Sequence, residues 1–142
     1  MSWSMWHEEG LGFDTTNVSI DKLKGFFKKH EEALHKIKLY NDLMEEIKRD
    51  DIMIDKVREF TDNFTIGEII AWVMTVETGI QFCSPGLSDD SEEAVLFTRC
   101  FPWEYNDREK TLTEDTVKEI MKPYSNELGI ENIDFIDLTF SG

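Results

Sequence analysis

One stretch, residues 64–103, constrains this chain more than any other. It opens Phe64-Thr-Ile-Gly-Glu-Ile-Ile-Ala-Trp-Val-Met, passes through Gly79-Ile-Gln-Phe-Cys and an acidic loop, and closes Ala94-Val-Leu-Phe-Thr-Arg-Cys-Phe-Pro-Trp. Ile66, Ile69, Ile70, Val73, Met74 and Val76 recur at helical spacing, giving a wide apolar stripe from about Thr65 that Thr78-Gly79 ends. Alternation then predicts a strand from Ile80 to Cys83, a turn starting at Pro85-Gly86, and a second strand from Ala94 to Phe101 closed by Pro102. A helix laid across a hairpin of this composition should sit at the centre of the core.

The flanks complete the pattern. Residues 2–7 alternate as a first strand. Glu8-Glu9-Gly10-Leu11-Gly12 reads as its exit turn, and Phe13 to Val18 as loop or short strand. Ser19 is a helix N-cap, followed by Ile20, Leu23, Phe26 and Phe27 on one face. A second helical pattern runs from about Glu31 to Arg49, its junction with the first left open at His30, and a short helix follows from Ile54 to Phe60. Thr111-Leu-Thr-Glu114 fits a capping box for a helix to about Met121, bounded by Lys122-Pro123. The last strand is expected from Ile133 to Phe140, with Ile136, Leu138 and Phe140 sharing a face with Asp134. The sum is α+β: a single domain over residues 1–142, with about four strands in a mainly antiparallel sheet and helices packed on one face.

Charge narrows the function classes. The chain carries a formal net charge of −15. Residues 19–60 hold ten acids and ten bases, whereas residues 61–142 hold seventeen acids and five bases, a net of −12. Such a surface repels nucleic acid and anionic membranes and attracts a basic partner, although excess acid also simply keeps a small protein in solution. No apolar run approaches the roughly 20 residues of a membrane span. The N-terminus lacks a basic region and a long apolar run, so a cytoplasmic location is expected. Cys83 and Cys100 read as reduced and packed, since a turn near residues 86–92 would set Cys83 opposite about residue 94.

Motifs for chemistry are missing. His7-Glu8-Glu9 would alternate across a strand and reads as strand-end polar residues, and His30 and His35 would stand about 140° apart on one helix and read as surface histidines rather than ligands. The run from Asp89 to Glu93 lacks the ligand order of a calcium loop. There is no phosphate loop, zinc spacing or hydrolase elbow. A non-enzymatic protein with no metal and no cofactor is therefore expected. Trp103 and Tyr105, beside Glu104 and Asp107, would make an aromatic hot spot with an acidic rim if exposed.

Three segments carry a resemblance: Trp6-His-Glu-Glu-Gly-Leu-Gly, Glu77-Thr-Gly-Ile-Gln-Phe, and Val95-Leu-Phe-Thr-Arg-Cys-Phe-Pro-Trp103. Across most of its length the chain resembles a loose group of small proteins encoded by bacteriophages, prophages and mobile elements of gut bacteria. The resemblance implies a context rather than a mechanism. Small acidic proteins of that setting, anti-CRISPR proteins among them, often occupy a basic host protein and imitate nucleic acid in charge. It implies a DNA-mimicking inhibitor of a host protein such as a CRISPR effector nuclease, with no direct nucleic-acid or membrane contact. The contacts would be Asp89, Asp90, Glu92, Glu93, Trp103, Glu104, Tyr105, Asp107, Glu109, Glu114, Asp115 and Glu119. The alternative is an accessory or regulatory protein acting through protein–protein contacts or a homodimer.

Overall fold

The computed structural model describes residues 4–34, 65–97 and 109–142. The helices expected over 35–49 and 54–60, and the end of the strand expected to reach Phe101, lie outside these residues. The architecture is α+β. Three antiparallel strands stand in the order β2-β1-β3: β1 is Met5–Asp14, β2 Ala94–Phe97 and β3 Asp134–Ser141. The helices among the described residues are α1 (Ile20–Lys29), α2 (Glu31–Leu34), α3 (Ile66–Thr78) and α4 (Glu114–Glu127), with a 3-10 turn at Glu109–Thr111 leading into α4.

Alternation on the strands sets the layers. Leu11 and Phe13 of β1, with Val95 and Phe97 of β2, face the helices. They join Leu23, Phe26 and Phe27 of α1, Ile66, Ile70 and Met74 of α3, and Val117 and Met121 of α4 in one core. Burying each such large side chain stabilises the fold by about 1.5–3 kcal/mol. α3 packs on β2, α4 on β1 and α1, and α2 on α3. Ala94, Leu96 and Leu138 point to the opposite face and form a smaller cluster with Cys83, Ile136 and Phe140. Cys83 is bridged to β2 on one side of the sheet, while the Asp89 N–H donates to the Thr139 carbonyl of β3 on the other, 2.9 Å away. The stretch between Cys83 and Asp89 thus links the two outer strands of the sheet.

Three sequence expectations need correction. Among the described residues the sheet has three strands rather than about four, because the segment from Ile80 to Cys83 pairs with β2 only at Cys83 and Leu96. Its other donors are taken by side chains: Thr78 Oγ1 accepts from the Ile80 N–H, Glu109 Oε2 from Gln81, and Thr75 Oγ1 from Phe82. A ladder cannot form with those groups already used. The bridge also puts Cys83 opposite Leu96, not residue 94.

Second, the glycines expected to end the first strand lie inside β1, the central strand. Gly10 pairs with Ile136, and Gly12 pairs with Asp134 on one side and Leu96 on the other. A Cβ at Gly12 would stand 2.0 Å from the Val95 carbonyl oxygen, so this glycine marks close backbone approach, not a turn. Third, α4 starts at Glu114 with Thr113 as N-cap, not at Thr111, and runs through Pro123 to Glu127. Tyr124 and Ser125 beyond the proline, and Leu128 after the last turn, are buried; their packing carries the helix past the break.

Candidate functional site

The residues singled out in the sequence divide into four sets. Asp89, Asp90 and Glu92 are exposed on one tight loop. Ser88 closes it: the Ser88 N–H donates to the Glu92 carbonyl (2.9 Å), Ser88 Oγ accepts from the Glu92 N–H (3.1 Å), and Ser91 takes a left-handed φ of 59°. Asp89 Oδ2 accepts from the Ser141 hydroxyl at 2.7 Å, which ties the loop to the end of β3. Glu114, Asp115 and Glu119 are exposed on α4, the first two in its opening turn, where the helix dipole favours negative charge. Trp103, Glu104, Tyr105 and Asp107 lie outside the described residues.

Glu93 and Glu109 do not belong to a contact surface. Glu93 is fully buried, and its Oε1 accepts from the Gly67 N–H in the first turn of α3 (2.6 Å) and from the Thr15 hydroxyl (3.3 Å). An anion at a helix N-terminus meets unpaired N–H groups and the positive end of the dipole, which offsets its loss of water. Glu109 is also buried and accepts from the Gln81 N–H at 3.0 Å, just beyond the C-terminus of α3. The two carboxylates thus stand at opposite ends of a helix of about 20 Å and serve to hold it in place.

A second constellation was not read from the sequence. His30, expected at the surface, is only 8% exposed and caps the C-terminus of α1. Its Nδ1 lies 2.8 and 2.9 Å from the Glu77 carboxylate oxygens at the end of α3, and its Nε2 lies 2.5 Å from Glu127 Oε2 at the end of α4. Tyr124 donates its hydroxyl to Glu77 Oε1 at 2.9 Å, and Lys29 Nζ stands 2.7 Å from Glu127 Oε1. The imidazole lies against the rings of Phe26 and Tyr124, with centroids 4.4 and 5.4 Å away. Burial, then the hydrogen bond to Glu77 and the charges of Glu77 and Glu127, push the Tyr124 phenol well up, so it stays a donor.

The chemistry of this junction follows from helix polarity. Three helix C-termini, each the negative end of a dipole, meet here with two carboxylates, and Lys29, His30 and Tyr124 supply the donors. Because each ring nitrogen already faces a carboxylate, neither is poised to take a proton from a substrate, and the two lie at opposite ring edges, unsuited to share a metal ion with both acids. Among the described residues no three His, Cys, Asp or Glu side chains could hold a metal ion together, and no helix is long and apolar enough to cross a membrane. The signal for the junction was weak in the sequence: its members are 30, 77, 124 and 127, far apart along the chain, and two of them follow the proline that was expected to end α4. No family model, curated protein or solved structure matches the chain.

Proposed function

We propose that this protein is a non-enzymatic binder that uses its acidic surface to occupy a basic, nucleic-acid-binding host protein. What carries the reading is the rigid display of Asp89, Asp90 and Glu92. Three exposed acids sit on a loop closed by Ser88 and tied to β3 by two hydrogen bonds from or to Asp89. Fixed charges lose little entropy on meeting a row of lysines or arginines, so they imitate phosphates better than acids on a loose tail. Glu114, Asp115 and Glu119 extend the negative field on α4. A CRISPR-type effector is the target that the sequence resemblance suggests.

The experiment is a pull-down of tagged protein from host lysate, washed at low and at high salt, with two variants in parallel. One reverses the loop (Asp89→Lys, Asp90→Lys, Glu92→Lys), the other reverses α4 (Glu114→Lys, Asp115→Lys, Glu119→Lys). A basic partner that leaves at high salt and is lost with the loop variant supports the reading. Equal capture by wild type and both variants would remove it. A second reading, an accessory protein that works through a homodimer, is favoured by the 45% exposure of Trp6, which stacks on Phe140 at 5.9 Å. Light scattering on wild type and Trp6→Ser would show it as a loss of dimer mass.

A further inference from the structure

We propose that His30 is a pH-sensitive latch, fastening the α1–α2 corner to the C-terminal ends of α3 and α4 while its ring carries two protons and loosening when it carries one. The inference goes beyond the acidic surface and does not depend on it. Both ring nitrogens stand within hydrogen-bond distance of carboxylate oxygens, Nδ1 at Glu77 and Nε2 at Glu127. A carboxylate only accepts, and only a doubly protonated imidazole donates from both nitrogens. Removing one proton turns a lone pair toward an anion at the same short distance. The ring itself is buried, so the lost donor leaves a poorly solvated acceptor pair behind.

The groups around the ring support the direction. From α1 come Lys29, paired with Glu127, and the apolar ring of Phe26; from α3 comes Glu77; from α4 come Tyr124 and Glu127. Glu31 and Glu32 of α2 lie next in the chain and are exposed. Among these described neighbours the acids outnumber the one lysine, and three negative dipole ends converge on the same point. Each carboxylate keeps a second donor, Lys29 for Glu127 and Tyr124 for Glu77, so both stay acceptors while the ring changes.

The test measures amide hydrogen-exchange protection factors on the full chain at about pH 5.5 and about pH 8. The reporters are the amides of Leu34, Gly79 and Leu128, bonded to His30, Thr75 and Tyr124 carbonyls at the ends of α2, α3 and α4, each normalised to amides of β1. In wild type the normalised protection should fall about tenfold or more at the higher pH, the size of one charge-assisted hydrogen bond. In Glu77→Gln/Glu127→Gln the fall should vanish, because an amide can accept from one nitrogen of a neutral ring and donate to the other. The single variant Glu127→Gln gives the same reading if the double does not fold. Protection in wild type that is independent of pH, or a fall of equal size in the glutamine variants, overturns the proposal.

Discussion

A helix interior normally gains about 1 kcal/mol from alanine in place of glycine, yet Gly67→Ala is expected to destabilise this fold. A Cβ there would lie 2.6 Å from Ser84 Oγ and 2.8 Å from Glu93 Oε1, inside contact distance of both. The buried Glu93 carboxyl would have to withdraw from the Gly67 N–H, and a buried acceptor that loses its donor costs roughly 1–3 kcal/mol. The sterics outweigh the propensity, and a denaturant melt would show a midpoint below wild type. One residue on, Glu68 completes a capping box. Its N–H donates to Thr65 Oγ1 at 3.2 Å while its carboxylate accepts from the Thr65 backbone. Burial pushes the Glu68 carboxyl up from its ordinary 4.5; the Thr65 N–H pulls it part of the way down, and the Glu93 charge pushes it up again. A raised carboxyl binds its proton more tightly in the folded chain, so the fold loses stability as pH rises above 4.5 through the folded-state value. Glu68→Gln, which keeps the capping hydrogen bond without the charge, should match wild type below that window and exceed it at neutral pH. Melts of both proteins at pH 3.5 to 7.5 (roughly the span set by a carboxyl's ordinary and raised values) would check the sign.

At the scale of elements, α4 shows how packing overrides a local rule. Proline inside a helix removes one hydrogen bond and costs about 3 kcal/mol, and a sequence reading rightly places a boundary at Lys122-Pro123. The helix continues because Tyr124, Ser125 and Leu128 bury themselves and because Glu127 and Tyr124 reach the His30 junction. Pro123→Ala should therefore raise stability by about 1–3 kcal/mol, read as a higher urea midpoint, without moving the junction. A lower midpoint would mean that the proline ring itself packs favourably. The same contest explains what was legible. Patterns that depend on near neighbours held: the Ser19 cap, the Leu23-Phe26-Phe27 face, the stripe and Gly79 stop of α3, and the shared face of Ile136, Leu138 and Phe140. Features fixed by distant partners did not. Gly12 looked like a turn because its reason, the Val95 carbonyl, lies more than eighty residues away. Glu93 and Glu109 looked like surface acids because their acceptor roles toward Gly67 and Gln81 appear only once α3 is folded. His30 looked exposed because its two carboxylates belong to other helices.

For the whole molecule, charge acts on stability and on binding with opposite sign, and salt separates the two. A chain of net charge −15 repels itself when folded, since folding brings the acids closer together. The described lysine–carboxylate pair, Lys29 with Glu127, offsets only a small part of that charge. The screening length shrinks from about 30 Å at 0.01 M salt to about 10 Å at 0.1 M, and 30 Å exceeds the length of α3. Raising salt from about 0.01 M to about 0.3 M at neutral pH should therefore increase the urea midpoint of the free protein. Over the same range a complex held by Asp89, Asp90 and Glu92 on a basic surface should weaken, because the attraction is screened as the repulsion is. Measuring both on one sample series removes an ambiguity: a complex that dissociates while the fold gains stability has not been lost to unfolding. If the midpoint rises and the complex persists, the acids stabilise nothing at the interface. The contact then has to be apolar, and among the described residues the exposed Trp6, Phe135 and Met5 of the β1–β3 pair would be the place to mutate next.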